Sequence, residues 1–72
     1  MTMAEVQFDM IELRKKLGGS VNHELDNIER SAAVFWRNRD MPKFEGVGRR
    51  IHRLAVRARS GEALTLKDVR GV

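Results

Sequence analysis

The chain has 72 residues, 42% of them hydrophobic and 33% charged, with a formal net charge of +4 and no cysteine. This length fits one domain, residues 1–72, and the composition excludes a wholly disordered chain, while the lack of cysteine excludes disulfides. Because so short a chain buries only roughly 60% of the surface that its unfolded form exposes, oligomerisation, with a homodimer as the first form to test, or docking on a partner is a candidate further source of stability.

The N-terminal residues alternate between apolar and polar side chains, which is the period of a strand. The apolar set is Ala4, Val6, Phe8 and Met10. We therefore predict that residues 1–9 are extended or mobile, with an extended segment over residues 5 to 8. A helix from Met10 to Leu17 follows, with Asp9 and Glu12 as a capping box and Phe8 and Leu13 as its hydrophobic staple.

An alternative capping box lies earlier in the chain, where Thr2 and Glu5 have the same spacing. That box would start the helix near Met3 and direct Phe8 away from the apolar face. The apolar face would then consist of Val6, Met10, Leu13 and Leu17. The extended interpretation is preferred because the staple gives Phe8 a packing role.

A second helix is predicted after Gly18-Gly19, where glycine favours a helix end. Ser20 or Asn22 is the expected cap, and the helix runs to about Asn38. Its apolar stripe recurs at steps of three and four residues. The stripe consists of Val21, Leu25, Ile28, Ala32 and Phe35.

A third helix is predicted from about Lys43 to Gly61, with Pro42 in a position that the first turn of a helix tolerates. Its apolar stripe is Phe44, Val47, Ile51, Leu54 and Ala58. The short connection predicts an antiparallel hairpin of helices 2 and 3. Gly46 and Gly48 leave two alternatives open: the helix begins near Gly48, or the glycines allow close packing.

The C-terminal residues carry a further capping box, Thr65 to Asp68, with Leu64 and Val69 at staple spacing. A terminal helical turn that folds back is preferred to the alternative, in which residues 64–66 are extended and pair with residues 6–8. The predicted fold is mostly α: a small three-helix domain with a helix 2/helix 3 hairpin, a short extended N-terminal segment and a short C-terminal helical turn.

The positive charge is concentrated in the C-terminal part. Residues 1–42 hold six Lys/Arg and seven Asp/Glu, whereas residues 43–72 hold eight and three. Arg49, Arg53 and Arg57 lie four apart on helix 3, with Arg50 beside them and Arg59 on a flank. This pattern predicts a surface for an anionic partner, since guanidinium groups suit carboxylates and phosphates. The alternative is a solvated face that acidic residues of helix 2, Glu24, Asp26 and Glu29, partly neutralise.

Apolar contacts are predicted at Trp36, Val6 and Phe8. Trp36 lies off the helix 2 stripe, where it is either an exposed anchor or a core residue. Val6 and Phe8, if extended, offer an apolar edge or plug for another protein, or else cover the hairpin.

No catalytic pattern is present. His23 and His52 are the only histidines, and neither belongs to a metal-binding or nucleophile motif. The helix-turn-helix spacing fails around Gly18 and Gly19, and no nucleotide-binding glycine motif occurs. We therefore expect no enzyme activity and no cofactor.

The sequence thus predicts a non-enzymatic small regulatory protein that docks on nucleic-acid machinery such as a transcription complex containing RNA polymerase. Its expected partner is an acidic protein surface, with nucleic-acid phosphates as the alternative for a homodimeric DNA- or RNA-binding protein. A helical assembly adaptor is the third interpretation. No apolar run approaches the ~20 residues of a membrane span, and the N-terminus lacks signal-peptide features, so no membrane partner and a cytoplasmic location are expected.

Overall fold

The computed structural model describes residues 1–70, and these form a bundle of three long helices with a short fourth. The helices are α1 (Met3–Leu17), α2 (Asn22–Arg37), α3 (Met41–Arg59) and α4 (Leu66–Arg70), and a 3-10 turn at Gly19–Val21 precedes α2. No strand occurs within residues 1–70. The mostly α, three-helix prediction is confirmed.

The prediction of an extended N-terminal segment is wrong, and the alternative capping box of Thr2 and Glu5 is the one that forms. The Glu5 amide donates to Thr2 Oγ1 at 3.2 Å, and the Thr2 amide donates to Glu5 Oε1 at 3.1 Å. Asp9 does not cap a helix at Met10; its buried carboxylate lies inside α1 and bonds His52 of α3. The strand-like alternation was too short to outweigh the helical face of Val6, Met10 and Leu13. Because residues 6–8 lie inside α1, the alternative in which they pair with residues 64–66 as strands is wrong as well.

The core lies between the apolar faces of α1, α2 and α3, and α4 closes one end. Its fully buried large side chains are Val6, Met10, Leu13, Leu25, Phe44, Ile51, Leu54 and Val69. Val6 lies beside Gly48, Asp9 beside His52 and Glu12 beside Arg59, so α1 and α3 run in the same direction. Helix α2 runs antiparallel to both.

The turns between helices depend on glycine, aspartate and proline. Gly18 ends α1 with a positive φ of 74°. Neither predicted cap holds α2: the helix begins at Asn22, and Val21 stands at the cap position without a side-chain bond. Asp40 caps α3, its Oδ1 accepting from the Lys43 amide at 3.4 Å, with Pro42 in the first turn as predicted.

Both glycines of α3 lie inside the helix, so the alternative of a helix starting near Gly48 is wrong. Gly48 is buried, and a Cβ there would collide with the Met1 side chain and touch Val6. Close packing of α1 on α3 therefore explains Gly48, whereas a Cβ on Gly46 would meet open space.

The C-terminal capping box also forms. The Thr65 amide donates to Asp68 Oδ2 at 2.8 Å, and the Asp68 amide donates to Thr65 Oγ1 at 3.3 Å. Val69 is buried against the core, so the predicted turn folds back onto the bundle. Among residues 1–70, none of the helices is both long and apolar enough to cross a membrane.

Candidate partner-binding surfaces

The polar side chains of α3 form three lengthwise strips. One strip faces α1 and consists of Glu45, His52 and Arg59, spaced by seven residues, or about two turns. A second strip faces α2 and α4 and contains Arg50 and Arg57. Arg49 and Arg53 lie between these strips, on the outside of the bundle.

The strip facing α1 is paired along its length. Asp9 Oδ2 lies 3.1 Å from His52 Nδ1, and Glu12 Oε1 accepts from Arg59 Nη2 at 2.6 Å. The hydrogen bond that Arg59 donates to Glu12 raises the pKa of Arg59. Glu45 completes the strip by accepting from the Met1 ammonium at 3.2 Å. Arg59 therefore joins α3 to α1, and its predicted contact with a partner is corrected to an ion pair within the bundle.

Arg57 is occupied in the same way, toward the C-terminal residues. Its Nη2 donates to Glu62 Oε1 at 2.6 Å and to Asp68 Oδ1 at 3.2 Å, while its Nε donates to Glu62 Oε2 at 3.1 Å. These carboxylates, Glu62 first, raise the pKa of the guanidinium. Arg57 thus joins α3 to the following loop and α4. The predicted stripe of arginines spaced four residues apart therefore ends at Arg53.

The remaining arginines of α3 have no such partner. Arg49 and Arg53 are exposed, and neither makes an ion pair or side-chain hydrogen bond within residues 1–70. Arg50 is half-buried beside Asn27 and Ile28 in a crevice of about 300 Å³ between α2 and α3. Its Nε is buried and has no hydrogen-bond partner among the described residues. These three guanidiniums, Arg49, Arg50 and Arg53, form the α3 basic surface.

The acidic residues of α2 do not neutralise that surface. Their partners lie on other elements: Arg14 of α1 bonds Asp26 at 2.6 Å and Glu29 at 2.7 Å, and Arg70 of α4 bonds Glu24 at 3.0 Å. The pKa of Glu24 is lowered, first by a backbone N–H and then by Arg70. The alternative of a neutralised α3 face is therefore wrong for these three carboxylates.

Trp36 combines the two roles considered for it. One side of its ring packs on Phe44, with 4.8 Å between ring centroids and 53° between ring planes. The side chain remains 39% exposed and lines a groove of about 630 Å³ together with Met3 and Met41. Phe44 is fully buried. Trp36 is therefore a supported, accessible aromatic side chain at the edge of the core.

The two predicted N-terminal contact residues separate. Val6 is 0% exposed and is not available to a partner, so its predicted contact is corrected to a core role. Phe8 is 60% exposed on the outside of α1, beside a crevice that His52 and Arg59 also line. The exposed Ile11 follows one turn later, and sequence reasoning missed it because the strand-like pattern hid the helical spacing.

Neither histidine belongs to a metal cluster: within residues 1–70, no three His, Asp or Glu side chains gather as ligands. His23 is exposed, and His52 contacts Asp9. No family model, curated protein or solved structure matches this chain. Surface chemistry is therefore the basis for a functional proposal.

Proposed function

We propose that this chain is a small, non-enzymatic regulatory protein of the cytoplasm. In this proposal it docks on an acidic protein surface of nucleic-acid machinery, such as a transcription complex containing RNA polymerase. The α3 basic surface makes the contact. Guanidinium groups favour this role because their planar donors match carboxylates in pairs.

The observation that carries the proposal is the distribution of ion pairs. The sequence has ten Asp and Glu residues, and within residues 1–70 each of them bonds a cation, a histidine or a capping partner of the same chain. Arg49, Arg50 and Arg53 are bonded to none of them. The charges of Arg49 and Arg53 therefore lie on the outside of the bundle without a carboxylate partner among residues 1–70, which supports an anionic partner.

A protein partner is favoured over a duplex because the surroundings are mixed. Val56 is exposed next to Arg53 on α3, and Ile28 lines the crevice that holds Arg50. Asn, Gln and Ser, which usually accompany arginine in reading base edges, are absent between Arg49 and Arg59. A surface of guanidiniums and apolar carbon fits an acidic protein with apolar contacts better than a phosphate backbone.

The second candidate is a homodimer that binds DNA or RNA through phosphates. Arg50 favours it, since its Nε–H has no hydrogen-bond partner among the described residues and a guanidinium donates readily to phosphate oxygens. Salt separates the two functions. Phosphate binding weakens by orders of magnitude between low and moderate salt in proportion to the contacts made, whereas a mixed protein interface weakens less.

The test is affinity capture from the native host with three forms of the protein. The wild type is compared with Arg49→Gln/Arg53→Gln and with a control of equal charge change, Lys15→Gln/Lys16→Gln on exposed positions of α1. We expect the wild type and the control to retain an acidic component of the machinery after nuclease treatment, and the α3 variant to lose it.

Two outcomes contradict the proposal. Loss of all captured material on nuclease treatment points to direct nucleic-acid binding. Full retention by the Arg49→Gln/Arg53→Gln variant rules out the α3 basic surface and favours the assembly adaptor. Circular dichroism of each variant confirms that the helices remain.

A further inference from the structure

A groove at the end of the bundle differs in chemistry from the α3 basic surface. It lies where the start of α1 meets the corner between α2 and α3, and its volume is about 630 Å³. Its lining residues are Met3, Gln7, Ala33, Trp36, Arg37, Arg39 and Met41. None of the three arginines of the α3 basic surface contributes to it.

The floor of the groove is apolar and supported from below. Trp36 and Met41 are each 39% exposed, and the Trp36 ring rests on the fully buried Phe44. A supported tryptophan offers a large contact area at little cost in side-chain entropy, and it is enriched at the centres of protein interfaces. Met3 and Met41 add adaptable thioether side chains, which fit varied apolar groups.

The rim is basic and uncompensated. Arg37 and Arg39 make no ion pair or side-chain hydrogen bond within residues 1–70. The neighbouring carboxylate, Asp40, is engaged with the amide and ammonium groups of Lys43. Two guanidiniums beside an apolar floor match a ligand that carries carboxylates beside an apolar side chain.

The backbone at Arg39 supports a role for its side chain. Arg39 has a φ of 57°, the left-handed region, and is the only non-glycine residue with a positive φ among residues 1–70. That conformation disfavours a residue with a Cβ, and glycine or asparagine adopts it more easily. An arginine at this position therefore lowers stability, which favours a binding role for its side chain beside the groove.

We propose that this groove binds a linear acidic segment of a partner protein. One apolar side chain of the segment inserts between Trp36 and Met41, and carboxylates on either side of it pair with Arg37 and Arg39. The site is separate from the α3 basic surface, so it goes beyond the proposed function and stands or falls independently of it.

The test uses Trp36 fluorescence, because Trp36 is the only tryptophan of the chain. The probes are ten-residue acetylated and amidated peptides in which one leucine, isoleucine or methionine is surrounded by aspartate and glutamate. Matched peptides carry serine in place of the apolar residue, or asparagine and glutamine in place of the acids. We expect a saturable change with the acidic apolar peptides and at least tenfold weaker binding of both matched sets.

Variants locate the site. The variant Arg37→Gln/Arg39→Asn removes both charges, and asparagine at position 39 tolerates the left-handed conformation. This variant should weaken peptide binding at least tenfold, since the hydrogen bonds of the two guanidiniums to the peptide carboxylates are lost. Lys15→Gln/Lys16→Gln, with the same change in net charge, and Arg49→Gln/Arg53→Gln should bind as the wild type does. Thermal unfolding at or above the wild-type temperature shows that the fold of each variant is intact, and Arg39→Asn should raise that temperature because asparagine adopts the left-handed conformation more easily.

Three results would overturn the inference: no saturable change with any acidic apolar peptide, equal binding of the neutral peptides, or equal binding by the Arg37→Gln/Arg39→Asn variant. Tighter binding of a ten-nucleotide single strand of thymidines would assign the groove to nucleic acid instead, with Trp36 stacking on a base. Because Arg49 and Arg53 are tested separately, failure here leaves the α3 proposal untouched.

Discussion

Replacing Val6 by alanine should destabilise the protein more than replacing Phe8 by alanine. An extended N-terminal segment with Phe8 packed on Leu13 would give the reverse order. Val6 is 0% exposed, and Val6→Ala removes two buried carbons, each worth about 0.8 kcal/mol. A small cavity adds to this loss, while the better helix propensity of alanine returns up to roughly 0.7 kcal/mol. The expected net loss is about 1–2 kcal/mol of unfolding free energy.

Phe8→Ala serves as the comparison, because Phe8 is larger but 60% exposed. Its replacement should change the unfolding free energy by no more than about 0.5 kcal/mol. Thermal unfolding followed by circular dichroism measures both, and Val6→Ala should lower Tm by about 6–12 °C for a domain of this size. A larger loss for Phe8→Ala than for Val6→Ala would refute the helical N-terminus and restore the staple on Leu13.

Three further predictions concern stability. Gly46→Ala should raise the unfolding free energy, measured by urea denaturation, by about 1 kcal/mol. Gly48→Ala should raise it by less, because the new Cβ would displace the Met1 side chain, and an equal rise in both variants would contradict the close packing at Gly48. Arg57→Gln should lower Tm, and 1 M salt should shrink the difference, since the lost ion pairs are screened. The pKa of Glu24 is lowered from 4.5 by a backbone N–H and then by Arg70, and the pKa of Asp68 is lowered from 3.8 by the amide and hydroxyl of Thr65 and then by Arg57. The stability that these carboxylates give is therefore present above those values, and Tm should fall as the pH drops below them; a Tm unchanged down to pH 2 would contradict this.

The sequence predicted the features that depend on neighbours along the chain. The stripes of α2 and α3, the proline in the first turn of α3 and the capping box at Thr65 follow from spacing within a few residues, and all are present. The choice between Thr2 and Asp9 as the first cap was not local. It depended on contacts with the other helices: Val6, Met10 and Leu13 are buried in the core, and Asp9 contacts His52 of α3.

The candidate surface shows the same division. Spacing placed Arg49, Arg53 and Arg57 on related sides of one helix, but it could not show which guanidiniums have carboxylate partners. The partners of Arg57 and Arg59 come from α4, the preceding loop and α1, so they are set by packing. The groove around Trp36 was also beyond prediction, because it forms only where three helices meet.

The parallel alignment of α1 and α3 has a consequence during synthesis on the ribosome. The last residue of α1, Leu17, precedes the end of α3, Arg59, by 42 residues. At a translation rate of about 5–20 residues per second, α1 waits roughly 2–8 s for its neighbour. During that interval Val6, Met10 and Leu13 are not buried by α3, so the nascent chain exposes the apolar face of an amphipathic helix. Chaperones that bind exposed apolar segments have this interval in which to recognise it.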